Sequence, residues 1–362
     1  MLTKGDEFPV HQTPEPIAYA GTDRNFYDRY FFNGYHSDGS DFFALAFGVY
    51  PQLNVADAHF SCVRGDIQHC IHASRILGME RMDLDVGPIR IEIIEPLQQL
   101  RLIIDNHEGI SADLVFTGRA FPIEEPRFTR RIGPRMFMDY TRMTQNGRWQ
   151  GWIEVDSQRT IMDGAVGTRD RSWGIRPVGI NDPQPNLPVV APQFYWLWSP
   201  VNFDDASLFF HVNADEAGVI WNSRAVLCDD NSAQGAVCET SDCHMHITLN
   251  PGWRHAVSAT LEIGGMRPAT AIFTPISHFM MRGLGYTNPE WPHGGYKGTL
   301  VIEREDIDLG NIVPGRPDHL HVQAISRVDM VQDGKHKSGI GILEQLIIGR
   351  YSPLGLESLF DD

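Results

Sequence analysis

Positive charge is scarce in this chain. Its 362 residues include 30 Lys and Arg against 46 Asp and Glu, a formal net charge of −16, and no run of basic residues could follow a phosphate backbone. Nucleic acid and anionic membrane surfaces are therefore not expected as partners. Cysteine is scarce too, and an odd number without framework spacing favours reduced thiols over disulfides. The cysteines are Cys62, Cys70, Cys228, Cys238 and Cys243.

Long apolar runs are also missing. The first residues, MLTKGDEFPVHQ, place charges where a signal peptide needs an apolar stretch. No segment approaches the roughly 18 to 20 apolar residues of a membrane helix. We therefore expect a cytoplasmic protein with no integral membrane segment. The sequence has no Walker A loop, no GxGxxG after a strand, no HExxH and no GxSxG, so cofactor-dependent redox chemistry and phosphoryl transfer are not expected.

Helical periodicity is scarce, whereas short apolar or alternating runs recur along the whole chain between 34 Gly and 23 Pro. This pattern predicts an all-β fold built mostly from antiparallel strands. Only the regions near 275–285 and 308–312 leave room for short helical turns. The predicted strands include 42–50, 89–96, 100–105, 150–156, 207–212, 224–229, 244–249, 257–264 and 298–305.

The second half of the chain resembles the first, which suggests an internal duplication. The aromatic strand YFFNGY matches FYWLWS 164 residues later, and strand–proline–strand segments follow in both halves. WQGWIEV then matches YKGTLVI, and GTRDRSW matches GRPDHLH. We predict an N-terminal barrel at 1–180, a Pro-rich connector at 181–193 and a C-terminal barrel at 194–362. The aromatic strands could line a ligand cavity or simply fill the cores.

The stretch GTRDRSWGIRP at 167–177 concentrates charge around one indole. On a strand, Arg169, Arg171 and Trp173 share one face, and Asp170 and Ser172 share the other. Guanidinium groups pair with carboxylates and stack on aromatic rings. The stretch could therefore be a buried ionic clasp that holds two units together, or it could hold a carboxylic acid or a cation at the mouth of a cavity.

Histidine pairs could supply proton-transfer groups. In GRPDHLHVQA, we expect His319 and His321 on one face of a strand and Asp318 on the other. His244 and His246 have the same spacing. Either pair could bind a metal, but zinc needs three or four ligands and the sequence groups no third one, so no metal site is predicted.

Two further segments carry candidate residues. The Gly- and Pro-rich loop at 285–298 contains Glu290, Trp291 and His293, which could be a site element or an ordinary turn. Glu344 lies inside an otherwise apolar strand, where a carboxylate must be paired or protonated. We expect Arg169 or Arg171 as its partner.

With these motifs together, the chain resembles the two-domain lipocalin-like superfamily of carotenoid 1,2-hydratase, AttH-like proteins and lipocalin-like Diels-Alderases. GTRDRSWGIRP resembles the family's Arg-Asp-His-Ser-Trp-Gly signature, with Arg171 in place of His. FYWLWSPVNFDD resembles its second-domain opening strand, and GIGILEQLIIG its Gly-x-Gly-x-x-Glu strand. The resemblance implies two calycin barrels, a ligand cavity and no required cofactor. NPEWPHGGYKGTL indicates a branch distinct from the carotenoid enzymes.

We therefore expect a cofactor-independent lyase or isomerase that protonates a C=C bond of an apolar, terpenoid-like or polycyclic substrate. The alternatives are a carrier of an apolar metabolite without turnover and a metal-dependent hydrolase. The expected acids or bases are Asp170, Asp318, His319 and His293. Arg171 and Glu344 would adjust their pKa values. The expected lining residues are Trp173, Tyr195, Trp196, Trp198, Trp291 and His321.

Overall fold

The computed structural model describes residues 2–11, 23–181 and 191–360, and it is nearly all β. Most of the predicted connector, 182–190, lies outside the described residues. Strands form where apolar and polar residues alternate, since alternate side chains then enter a barrel core. The chain divides into two units: unit 1 comprises Met1–His36, Asp41–Pro188 and Gly283–Leu309, and unit 2 comprises Ser37–Ser40, Val189–Arg282 and Gly310–Asp362.

Unit 1 contains a 14-stranded antiparallel sheet in the order β21-β4-β3-β2-β1-β13-β11-β8-β7-β6-β5, with β9, β10 and β12 paired to β11. It forms a nearly closed barrel. Its strands are β1 Phe26–Tyr35, β2 Phe43–Tyr50, β3 Val55–Arg64, β4 Ile67–Ile76, β5 Asp85–Val86, β6 Ile89–Glu95, β7 Gln99–His107, β8 Ile110–Gly118, β9 Ile123–Glu124, β10 Phe128–Ile132, β11 Arg135–Val155, β12 Gln158–Ile161, β13 Val166–Ile175 and β21 Leu300–Asp308.

Unit 2 contains a nine-stranded sheet in the order β17-β16-β15-β14-β23-β22-β20-β19-β18, which forms a second nearly closed barrel. Its strands are β14 Phe194–Asn202, β15 Ala206–Ala214, β16 Ile220–Asp229, β17 Cys238–Thr240, β18 Cys243–Leu249, β19 Ala256–Ile263, β20 Ala269–Met280, β22 Val322–Gln332 and β23 Lys335–Ile348. The all-β, two-barrel prediction is thus confirmed.

The helices among the described residues are short 3-10 turns. Two of them, Met281–Leu284 and Leu309–Asn311, fall in the two regions where the sequence left room for helical turns. No helix among the described residues is long and apolar enough to cross a membrane. The other turns are Lys4–Glu7, Pro51–Leu53, Pro317–His319 and Ser352–Leu354.

Aromatic side chains fill the interior of the first barrel. Tyr30, Phe32, Phe43 and Phe47 are fully buried in one apolar cluster with Trp149. The Trp149 ring meets Phe43 edge-on at 5.0 Å between centroids, a favoured geometry for aromatic packing. The inward-pointing side chains of the first aromatic strand therefore fill the core of unit 1 and do not line a ligand cavity.

The segment 283–309 belongs to unit 1. Its strand β21 pairs antiparallel with β4, for example Leu300 opposite Arg75. The match of WQGWIEV with YKGTLVI is therefore wrong as a repeat, because β11 and β21 belong to one sheet. A long-range strand pairing of this kind leaves no local signal in the sequence.

The match of GTRDRSW with GRPDHLH is also wrong. β13, which carries GTRDRSW, lies between β1 and β11 in its sheet, and the strand in the corresponding place of unit 2 is β23. Residues Pro317–His319 form a 3-10 turn instead of a strand, and His321 precedes β22. His319 and His321 thus do not share a strand face, because Pro317 and the turn break the extended backbone that the pattern assumed.

Candidate functional site

The inward face of β13 holds the N-terminal segment against barrel 1. Arg169 and Arg171 lie opposite Phe32 and Tyr30 of β1 and are almost completely buried, as the predicted alternation requires. Arg169 Nη1 donates to Glu7 Oε1 at 2.6 Å. Arg171 Nη2 donates to the Phe8 carbonyl at 2.9 Å, and its guanidinium lies 3.8 Å over the Tyr30 ring. The charge-dense stretch is thus an ionic clasp within unit 1.

A buried carboxylate completes this clasp. Asp28 Oδ1 lies 2.6 Å from Arg171 Nη1, and Asp28 Oδ2 lies 2.8 Å from His11 Nδ1. Burial alone would raise the pKa of Asp28, but Arg171 and His11 outweigh it and hold that pKa below its ordinary value. The His11 ring stacks on Trp173 at 3.8 Å, so this predicted lining residue contacts the N-terminal segment. Asp170 lies on the opposite face of β13 and is half-buried.

Unit 2 brings together three of the predicted site residues. Glu344 of β23 accepts hydrogen bonds from His321 Nε2 at 2.9 Å, Trp196 Nε1 at 3.0 Å and Gln323 Nε2 at 2.6 Å. We call these four residues the Glu344 cluster. Arg169 and Arg171, the expected partners of Glu344, pair instead with Glu7 and Asp28 in unit 1. That part of the prediction is wrong, because their strand points them toward the N-terminal segment.

The Glu344 carboxyl is set up as an anion. Burial would raise its pKa, but the hydrogen bonds from His321, Gln323 and Trp196 lower it below the ordinary value. His321 donates to the carboxylate from Nε2, so its neutral form carries the lone pair on Nδ1. A carboxylate that orients an imidazole in this way also stabilises the imidazolium, as in a general acid–base pair.

The cluster lies on the outer face of the second barrel. Tyr195 and Leu197 of β14 belong to the apolar core, and the Tyr195 ring stacks on Tyr351 at 4.0 Å. Trp196 and Trp198 alternate with them and therefore point outward, yet they are 5% and 2% exposed. The second aromatic strand thus divides its rings between the core and a buried outer face.

Asp318 and His319 form a separate charged turn in unit 2. Asp318 Oδ2 accepts from Arg316 Nη2 at 2.7 Å and also from Arg282, so its carboxyl pairs with two guanidinium groups. Burial lowers the pKa of His319 despite the neighbouring Asp318. His319 Nδ1 accepts from the Val313 N–H at 2.9 Å, which fixes its ring.

A second buried polar group lies on the outer face of barrel 1. Asp57 and His59 of β3, His72 of β4, and His293 of the segment that covers them are each less than 5% exposed, and we call them the His59 cluster. His59 Nδ1 lies 2.8 Å from His72 Nδ1, and His72 Nε2 lies 3.0 Å from Glu305 Oε2. Burial lowers the pKa of His72 to about 4, so this ring is neutral near pH 7.

His293 and Trp291 hold the covering segment in place. Arg29 Nη1 donates to His293 Nε2 at 2.6 Å, and Arg29 Nη2 donates to the Leu284 carbonyl at 3.0 Å. Trp291 Nε1 donates to Glu303 Oε2 at 2.8 Å, and its ring stacks on His72. The Gly- and Pro-rich loop is therefore anchored by both of its predicted site residues.

Sequence reasoning missed most of the His59 cluster. Asp57 and His59 alternate with core residues along β3, and the same is true of His72 along β4, a pattern typical of a solvent-facing strand surface. The usable signal was the pair of stripes DAHFS and HCIHAS, whose polar residues are Asp, His and Ser instead of Lys or Glu. His244 and His246, the spacing pair considered for a metal, are exposed on β18.

One cavity in unit 2 measures about 210 Å³. It is lined by Leu249, Asn250, Pro251, Gly252, Trp253, Arg254 and Leu356. This is smaller than the roughly 300–1,000 Å³ of most small-molecule pockets. None of the residues predicted as lining contributes to it.

A family model described as a family of unknown function (DUF8625) matches residues 2–357. No curated protein matches the sequence significantly. Among solved structures, an AttH-type protein of Nitrosomonas europaea is 15% identical, with a TM-score of 0.52 over 93% of this chain and 98% of its own.

CghA is 10% identical, with a TM-score of 0.51 over 91% of this chain and 90% of its own. Its complex with Sch210972 has 10% identity and a TM-score of 0.50, over 90% and 89%. At these identities the likeness shows the fold alone.

Proposed function

We propose that this chain, which belongs to the family of unknown function DUF8625, is a lyase- or isomerase-type enzyme. It acts by acid–base chemistry, without a cofactor, on an apolar terpenoid-like or polycyclic substrate. The observation that supports this proposal best is the Glu344 cluster, in which a buried carboxylate orients the imidazole of His321 beside the indole of Trp196.

In this proposal His321 transfers the proton. Its Nε2–H is held by Glu344, so Nδ1 is the nitrogen that accepts or returns a proton, and the carboxylate stabilises the imidazolium form. Trp196 and Trp198 supply aromatic surface that stabilises a developing cation by cation–π interaction. Glu344 is then a positioning residue, in line with its expected role of adjusting a partner's pKa.

His321 was expected as a lining residue, and the residues expected as acids or bases were Asp318, His319, His293 and Asp170. Asp318 forms ion pairs with Arg282 and Arg316 and keeps its proposed role as acid or base. His319, His293 and Asp170 keep their proposed acid or base roles, and Arg171 is proposed as the partner of Asp28. Trp173, Tyr195 and Trp291 keep their proposed lining role.

The structural relatives support the proposal only at the level of fold. CghA has been solved in complex with Sch210972, so this fold accommodates a small molecule in that protein. We propose the same for this chain, with an apolar small molecule as ligand. The reduced cysteines and acidic composition are consistent with the proposed cytoplasmic location.

The test is conversion of a panel of terpenoid, carotenoid and polycyclic substrates by purified protein, followed by mass spectrometry. His321→Gln should lower turnover by about 100-fold or more, since general acid–base catalysis contributes about 10²–10⁴. His244→Gln, an exposed histidine of the same unit, is the matched control. Ligand binding without conversion by the wild-type protein would indicate a carrier, and full activity of His321→Gln would rule out its role.

A further inference from the structure

Three buried groups of the His59 cluster face one another in unit 1. One oxygen of Asp57 and one ring nitrogen each of His59 and His293 lie within 4.8 Å of one another. Among the described residues, Asp57 Oδ1 and His59 Nε2 are buried without a hydrogen-bond partner. Buried polar atoms of this kind require a partner, since an unmade hydrogen bond costs about 1–3 kcal/mol.

The hydrogen bonds that run from Glu305 through His72 determine the tautomer of His59. Glu305 Oε2 accepts from His72 Nε2, so neutral His72 carries its lone pair on Nδ1. His59 Nδ1 lies 2.8 Å from that nitrogen and must therefore be the donor. The neutral form of His59 then presents a lone pair at Nε2 to the shared space.

The same Nδ1–H tautomer is imposed on His293, but there the protonated nitrogen Nδ1 faces the shared space. The guanidinium of Arg29 can only donate, and its Nη1 lies 2.6 Å from His293 Nε2. His293 Nε2 must then be the acceptor, which places the ring proton on Nδ1. The two imidazoles thus present one acceptor and one donor, and Asp57 adds a second acceptor.

This polarity does not fit a metal ion. Histidine ligands bind metals through a lone pair and usually donate their other N–H to an acceptor, as His59 does toward His72. His293 has the reverse arrangement, with a proton at the nitrogen that would face the metal. His293 therefore cannot be a third ligand. Asp57 and His59 alone are fewer than the three or four protein ligands that zinc binds.

We propose that Asp57, His59 and His293 bind one ordered water molecule, which donates to His59 Nε2 and to Asp57 and accepts from His293 Nδ1. Three partners are typical of a buried structural water. The glycine at 285 leaves the space open: the position of a Cβ on Gly285 would be 2.8 Å from His293 Nδ1 and 2.9 Å from His59 Nε2. An oxygen there is within hydrogen-bond distance of both nitrogens.

The sheet below has small residues at this site. Gly48 of β2 lies directly opposite both Arg29 and Asp57, and Ala46 lies opposite His59. The Tyr50 side chain packs against Gly48, since a Cβ there would lie 2.6 Å from its hydroxyl. The water binding site is therefore built from three strands and the covering segment, and it is distinct from the Glu344 cluster of unit 2.

A crystal structure of the wild-type protein, grown with and without added Zn²⁺, tests the proposal directly. We expect a single peak without anomalous signal, about 2.6–3.2 Å from His59 Nε2, His293 Nδ1 and Asp57. A peak with zinc anomalous signal and ligand distances of about 2.0–2.2 Å would overturn it. Direct contact between the two rings, with no density between them, would overturn it as well.

Nitrogen-15 NMR of the histidine rings tests the tautomers independently of activity. We expect lone pairs on Nε2 of both His59 and His293 in the wild-type protein. Glu305→Leu removes the acceptor of the chain and should redistribute the proton of His59. Glu303→Leu, on the same strand but bonded to Trp291, should leave it unchanged. An unaltered His59 signal in Glu305→Leu would contradict the series of hydrogen bonds from Glu305 through His72 to His59.

Discussion

Replacing Glu344 by Gln tests the electrostatics of the Glu344 cluster without changing its shape. The Glu344 side chain is 10% exposed, and its carboxylate accepts hydrogen bonds from His321, Gln323 and Trp196. An amide of the same size offers one acceptor oxygen and turns an N–H toward at least one of these donors. Hydrogen bonds to a charged group contribute about 1.5–3 kcal/mol each, and removing one partner of a buried pair costs about 3–5 kcal/mol.

We expect Glu344→Gln to lower the free energy of unfolding of unit 2 by about 3 kcal/mol, because the amide retains part of the hydrogen bonding. A loss of that size corresponds to a fall in Tm of about 6–12 °C for a domain of this size. Urea unfolding followed by tryptophan fluorescence measures it, since Trp196 contacts the carboxylate. Glu262→Gln, an exposed position on β19, is the control and should stay within about 0.5 kcal/mol of wild type.

The pH dependence supplies a second criterion. The pKa of Glu344 is lower in the folded protein than its ordinary value of 4.5. The stabilisation by the ionised carboxylate is therefore complete above that value and is lost as the pH falls through the folded pKa. The difference in unfolding free energy between wild type and Glu344→Gln should narrow as the pH is lowered through and below 4.5. An unchanged difference over this range, or a variant as stable as wild type at pH 7, would refute the reasoning.

Three other perturbations have defined outcomes. Arg171→Met should lower the free energy of unfolding of unit 1 by about 3–5 kcal/mol, measured in urea, because Asp28 is left charged and buried. The double variant Arg171→Met with Asp28→Asn should recover much of that loss. No recovery would contradict the ion pair between Arg171 and Asp28. Burial lowers the pKa of His72 from 6.5 to about 4, so its neutral ring stabilises the fold above pH 6.5 and progressively less down to pH 4. An NMR titration showing protonation of His72 near pH 6 in the folded protein would exclude this. Cys62, whose pKa burial raises to about 12, should resist iodoacetamide in the native protein while half-buried Cys238 reacts, as peptide mass spectrometry can show.

The all-β fold could be predicted because its signal is local. Alternation along β1 and β14 shows which residues face a core, and Gly and Pro mark the turns. The placement of 283–309 could not be predicted in this way, since β21 pairs with β4 across more than half of the chain. The same limit explains the false repeat between 149–155 and 296–302, where two strands of similar composition belong to one sheet.

The candidate sites divide along the same line. Glu344 was identified because a carboxylate within an apolar strand requires a partner, and that requirement holds in the structure. The identity of the partner depended on which strands are neighbours, so the expected arginines were wrong. Asp57 and His59 escaped notice because polar alternation on a strand ordinarily faces water, and only the covering segment makes this stripe buried.

The His59 cluster and the Glu344 cluster both lie on the outer face of their barrel. In barrel 1 the interior is occupied by aromatic rings such as Phe43 and Trp149, whereas Asp57 and His59 project from the opposite side of the same sheet. In barrel 2, Tyr195 packs inside while Trp196 and Glu344 lie on the outer face. Because neighbouring residues of a strand point to opposite faces, the core sets the position of the polar groups that alternate with it. Larger side chains at interior positions should therefore strain the packed core, whereas substitutions on the outer faces break hydrogen bonds between buried polar groups, as in Glu344→Gln.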